Sequence, residues 1–143
     1  MSYPLKTEHL SIPSTPDQLE VIDNVVEAMA ADMGFDKDAL ADLGICVTEA
    51  VMNAIEHAHR DQPDLFIDLT IECYADRMKI TVRDHGPGFD EDAVPDPTTP
   101  QNVLNLGGRG LMLMRAMMDE VEVRLHNDGT EISMVKKLVN SKK

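Results

Sequence analysis

The sequence predicts an α+β fold, a two-layer sandwich in which a mixed, mainly antiparallel sheet carries about three helices on one face. Three observations predict it. Apolar residues recur at helical spacing between Leu19 and Ala58, the period changes to two from Leu65, and a single helical stretch interrupts the strands that follow. The order is helices early and hairpins late, not a regular βαβ alternation.

The opening "LKTEHLSIP" reads as an edge strand closed by Pro13. Ser14, Thr15 and Pro16 then supply helix-start signals, followed by Leu19, Ile22, Val26 and Met29 on one stripe, with Gly34 as the stop. A second helix is expected from Lys37 to His59, where Leu40, Leu43, Val47, Val51, Ala54 and Ala58 form an apolar stripe. Leu65, Ile67, Leu69, Ile71 and Cys73 alternate with polar residues. Past a turn near Ala75 and Asp76, Met78, Ile80 and Val82 do the same, which makes a hairpin with one buried face. A third helix fits Gly110 to Met118. Val121, Val123 and Leu125 begin the last hairpin, "HNDGTE" turns it, and Ile132, Met134 and Val135 lie in the closing strand.

The chain has 143 residues, one domain's worth, and its mean hydropathy is −0.23, as expected of a soluble globular domain. Twenty-six acidic residues against thirteen Lys and Arg give a formal charge of −13. That balance argues against direct nucleic-acid binding and against an anionic membrane surface, both of which need a basic face. It could attract a basic protein partner. Cys46 and Cys73 lack metal-ligand spacing and read as buried reduced thiols. There is neither a signal-peptide pattern at the N-terminus nor an apolar run near the length that spans a bilayer, so the expected compartment is the cytoplasm.

Between residues 85 and 107 lies a connection too long for so small a domain, interrupted by Gly86, Pro87, Gly88, Pro95, Pro97 and Pro100. It reads as a functional lid, about 89–107. At its start, Asp84 continues the phase of Met78, Ile80 and Val82, so its carboxylate is expected on the covered face. A buried carboxylate requires a donor, from the protein or from a ligand. Gly86 and Gly88 leave room beside it. At its end, Gly107, Gly108 and Gly110 precede a helix, where bare amides and the helix dipole suit an anion such as phosphate. This is neither a Walker A loop nor a dinucleotide fingerprint.

On the second helix Glu49 and Asn53 stand about 40° apart on the wheel, opposite Val47 and Val51 and on the side of Asp42 and Glu56. Alone, this stripe reads as a solvated face. With a nucleotide present, Asn53 offers a neutral oxygen to Mg²⁺ and Glu49 a base for an attacking hydroxyl. Asp84 could then accept from the adenine amino group.

Three boxes in this order, "TEAVMNAIEHA", "DHGPGFD" and "GGRGLMLMRAMMDEV", with "DGTEISM" after them, resemble the GHKL ATPase/kinase superfamily and its Bergerat ATP-binding fold. Within it, the chain is similar to the anti-sigma-factor serine/threonine kinases of bacterial partner switching. Those consist of the ATP-binding domain alone and carry Glu four residues before Asn, as Glu49 and Asn53 stand here. The resemblance implies one domain over 1–143 that uses ATP and Mg²⁺. Glu49 would be catalytic and Asn53 the metal ligand. Asn53, His57, Asp84, Gly86 and Gly88 would contact the nucleotide, as would Gly108, Arg109, Gly110, Leu111 and Thr130. His57 extends the stripe of Asn53 and reads rather as a residue that packs against the lid. The implied partners are a sigma factor and an anti-sigma-factor antagonist of the STAS type, with a homodimer through the first strand and helix admitted by the family. A nucleotide-gated binding module with little kinase activity and a non-sigma partner is the alternative, and a slow stand-alone ATPase a third reading. Sensor histidine kinases add an upstream dimerisation helix pair, and gyrase-type ATPases add transducer domains; neither matches this length.

Overall fold

A computed structural model describes residues 3–58, 64–85 and 109–138. Five strands form one sheet: β1 (Lys6–Pro13), β2 (Phe66–Cys73), β3 (Arg77–Arg83), β4 (Glu120–His126) and β5 (Gly129–Lys137). Their order is β1-β2-β3-β5-β4, and all four pairings are antiparallel, where the sequence allowed for a mixed sheet. β1 is an edge strand, as its composition implied. Among the described residues there are three α-helices: α1 (Leu19–Met33), α2 (Lys37–Asn53) and α3 (Arg109–Met117).

The two-residue period decides which face is covered. Ile67, Leu69, Ile71, Cys73, Met78, Ile80, Val82, Ile132 and Met134 are buried with Ile22, Val26 and Met29 of α1 and Leu43, Val47 and Val51 of α2. Such a core, dominated by branched aliphatics, is the main stabilising contribution at about 25 cal/mol per Å² of apolar surface removed from water. The opposite face presents Thr81 to Ser133 across β3 and β5, their hydroxyls 3.3 Å apart.

The helix termini follow their local chemistry. Thr15, in extended conformation, precedes a short 3₁₀ turn, Pro16–Gln18, that opens on proline and leads into α1. Gly34 closes α1 at φ 102°, a conformation that favours glycine. The side chain of Asp36 accepts the Ala39 amide at 2.9 Å and fixes the start of α2. The expected helix from Lys37 to His59 is α-helical only to Asn53, and Ala54–Ala58 continues as a π-helix. That widening ends the regular stripe at Asn53, so the position of His57 no longer follows from α-helical spacing. Among the described residues no helix is long and apolar enough to cross a membrane. Cys46 and Cys73 are both buried free thiols, as their spacing implied.

Candidate nucleotide site

The end of β3 positions the inward carboxylate. Asp84 keeps the phase of Met78, Ile80 and Val82 and is 7% exposed. Its donor comes from the protein: the Thr130 amide donates to Asp84 Oδ1 at 3.0 Å, and the Asp84 amide donates to the Thr130 carbonyl at 3.0 Å. The pair of bonds ties the end of β3 to the start of β5 and fixes the direction of the carboxylate. Thr130 is itself buried. The neighbouring Gly129 sits at φ 150°, and a Cβ there would fall on the Asp84 carbonyl oxygen. Arg83, in the opposite phase, locks the corner from outside, with its Nη2 2.7 Å from Asp128 and its Nε donating to the Asp84 carbonyl at 3.2 Å. The sequence signal for this junction was the "DGT" turn; the closeness of the β5 backbone to Asp84 was not readable from it.

Next to Asp84, His85 Nε2 stands 2.6 Å from Asp68 Oδ2. Burial works to raise the Asp68 pKa, but hydrogen bonds from His85 and Ser11 and the charges of His85 and Arg83 outweigh it. They hold the carboxyl below its ordinary range.

Helix α2 supplies the second wall. Asp42, Cys46, Glu49 and Asn53 share one side, and α2 packs along α3 as well as against the core. Asn53 is 8% exposed and Glu49 half-buried, so the stripe is not simply solvated. An amide oxygen buried one turn from a carboxylate is a donor set that fits a magnesium ion completed by phosphate and water oxygens. Among the described residues no group of three or more His, Cys, Asp or Glu is placed to hold a metal. Burial is the main reason the Cys46 thiol is pushed up to about 11; Asp42 and Glu49 add to the rise and Lys136 opposes it.

The third wall is α3. Arg109 and Gly110 form its first residues, and Leu111 is buried, so Leu111 can face a nucleotide only through its backbone. The structure therefore brings Asp84 together with Thr130, and sets Glu49 and Asn53 on a helix packed against the one that Arg109 and Gly110 open. Gly86, Gly88, Gly108 and the lid 89–107 lie outside the described residues, as does the side chain of His57. An open groove of about 800 Å³ lies between α1 and α2 and shares Glu49 with this stripe: Glu20, Asp23 and Glu27 line it on one side, and Ile45, Thr48 and Glu49 on the other.

The profile of the histidine kinase-like ATPase domain matches residues 12–136. The chain belongs to that family. Its α+β architecture is that of this histidine kinase-like (GHKL) ATPase domain. The chain is 33% identical over 135 residues to Serine-protein kinase RsbW of Bacillus subtilis, covering 90% of this chain and 84% of that one. It is 38% identical over 136 residues to Serine-protein kinase RsbW of Bacillus pumilus, covering 89% and 83%. Among solved structures it resembles the RsbU and RsbW domains of Rv1364c from Mycobacterium tuberculosis, with a TM-score of 0.70 at 18% identity. That match covers 94% of this chain and 33% of the other, so this chain spans about a third of it. The histidine kinase domain of the blue-light activated kinase from Erythrobacter litoralis gives a TM-score of 0.57 at 21% identity, covering 92% of this ATPase domain and 64% of that chain. At those identities the two structures speak for the fold.

Proposed function

We propose that this ATPase-family chain is a Mg-ATP-dependent serine/threonine protein kinase and anti-sigma factor of the cytoplasm. It phosphorylates a serine of a STAS-type anti-sigma-factor antagonist and, in the alternate state of the switch, sequesters a sigma factor. The observation that carries the reading is the pair Glu49 and Asn53 on α2, with Asn53 buried, Glu49 partly open and α3 alongside. The relatives named serine-protein kinase support the acceptor class.

In this reading the whole chain is one kinase domain, with 89–107 as its lid. Asp84 accepts a hydrogen bond from the adenine amino group while Thr130 holds the carboxylate in place. Gly86 and Gly88 leave room for the base, and Gly108, Arg109, Gly110 and the backbone of Leu111 attend the phosphates. Asn53 would hold the magnesium ion, which when bound neutralises charge on the phosphates. Glu49 takes the proton of the acceptor serine as its oxygen attacks the terminal phosphorus in line. The bond from that phosphorus to the ADP oxygen breaks, leaving ADP and phosphoserine. Because Glu49 also lines the groove between α1 and α2, a protein hydroxyl has a route to the carboxylate from outside the nucleotide.

The deciding experiment supplies ATP, magnesium and the cognate antagonist to the wild-type chain and to Glu49→Ala. Transfer should fall by roughly 10²–10⁴-fold, the range for loss of a general base, while ATP still binds. Undiminished transfer would remove Glu49 from this role. Partner release driven by ATP with no phosphoprotein at any time would turn the reading toward a nucleotide-gated binding module.

A further inference from the structure

We infer that Lys136 is a positioning residue, which ties α3 to α2 and so sets where the first turn of α3 stands relative to Glu49 and Asn53. Resting on the nucleotide reading above, this assignment adds a residue that touches neither nucleotide nor acceptor. Lys136 lies on β5 in the inward phase of Thr130, Ile132 and Met134, and its side chain is 16% exposed. Withdrawing an ammonium from water is unfavourable unless it is paired. Here it has two partners on two different helices. Nζ donates to the Met117 carbonyl at 2.6 Å and to Asp42 Oδ2 at 3.1 Å.

Each partner has a structural meaning. Met117 is the last residue of α3, whose unpaired carbonyls and negative dipole end favour a cation. Asp42 lies seven residues before Glu49 on α2, two helical turns along the same stripe. The ammonium thus joins the foot of α3 to the side of α2 that carries the Glu49 and Asn53 pair. At nine residues and about 13 Å, α3 has little stability of its own, so what grips its end sets its axis.

Among the described residues, two further hydrogen bonds hold the same foot to β5: Asp119 N–H donates to the Val135 carbonyl at 2.9 Å, and Lys137 N–H to Asp119 Oδ2 at 2.7 Å. These survive loss of the Lys136 side chain, and the hydrogen-bonded bridge to Asp42 does not, which leaves apolar packing to hold α3 on α2. The arrangement separates the two ends of the site. Asp84 and Thr130 sit at the start of β5 and Lys136 near its finish, so loosening α3 should weaken phosphate contacts and leave the adenine end alone.

The test compares ATP with adenosine on folded Lys136→Met, Lys136→Arg and wild-type chains, by titration followed in NMR spectra. In Lys136→Met, ATP should bind about tenfold more weakly, as expected for loss of one charge-assisted hydrogen bond, and adenosine within about twofold of wild type. Lys136→Arg should restore most of the difference. If Lys136→Met does not fold, Asp42→Asn, which keeps the bond to Met117, should show a smaller loss of the same kind. Wild-type ATP affinity in the folded variants, or equal losses of ATP and adenosine, would overturn the assignment. A wild-type chain that binds neither would overturn the nucleotide reading and this assignment with it.

Discussion

Asp84 and Thr130 are joined by two hydrogen bonds at 3.0 Å, one from each residue's amide, although they lie 46 positions apart in sequence. The inward carboxylate is thereby aimed by backbone, a donor that every substitution at Thr130 except proline keeps. Asp84→Asn keeps an oxygen that can accept the Thr130 amide but replaces the second acceptor with a donor. Its melting temperature should therefore stay within a few degrees of wild type, while ATP affinity falls by about tenfold or more. Thermal melts and calorimetric titration measure the two quantities. Unchanged ATP affinity would detach Asp84 from the adenine end.

Gly129 should tolerate no side chain. Gly129→Ala combines a φ of 150° with a Cβ directed at the Asp84 carbonyl. The expected loss is about 1–3 kcal/mol in urea denaturation, the size of a strained backbone or an overpacked contact. A loss below about 0.5 kcal/mol would mean that the corner can open without consequence, because that is the range of surface substitutions away from such features.

Both cysteines should be inert in the folded chain. The Cys46 pKa is pushed up to about 11, chiefly by burial, and that of Cys73 is raised for the same reason. Thiol labelling near pH 8 should be slow until denaturant is added. The sign of the linkage is that of a raised folded pKa. The stabilisation is whole below the ordinary thiol value of about 8.5 and is lost as pH rises from there through the folded value. Rapid labelling of either residue in the native state would contradict their burial.

The pair of Asp68 and His85 makes the opposite prediction in acid. The Asp68 carboxyl is held low in the folded chain, so its contribution is present above the ordinary value of about 3.9 and is lost as pH falls through the folded one. Carboxyl titration by NMR should show the Asp68 midpoint moving upward in His85→Ala. The side chains of His85 and Asp68 are 41% and 46% exposed, enough for solvent to screen the pair, so the effect on stability should be small. A midpoint that does not move would show that His85 is not what holds the carboxyl.

The fold was legible because period and punctuation agreed. Ile67 to Cys73 and Met78 to Val82 alternate without a break, Gly34 ends α1, and each strand lies close to where its alternation places it. Asp84 was legible for the same reason, as a charge in an apolar phase. Three features were not. The change from α to π after Asn53 leaves no mark in a sequence of good helix formers. The amide that satisfies Asp84 belongs to a residue distant in sequence and carries no side-chain signature. Lys136 sits among apolar residues of β5, and its two partners come from helices whose packing angles periodicity does not encode.

Strand β5 can also be regarded as a ruler. Thr130 and Lys136 mark its two graduations, six residues and roughly 20 Å apart at the rise of an extended chain, and both point to the covered side. Substitutions between them act locally, whereas deleting or inserting a single residue would swing every later side chain to the other face. The spacing between the two marks is therefore a harder constraint on this molecule than the identity of the residues that fill it.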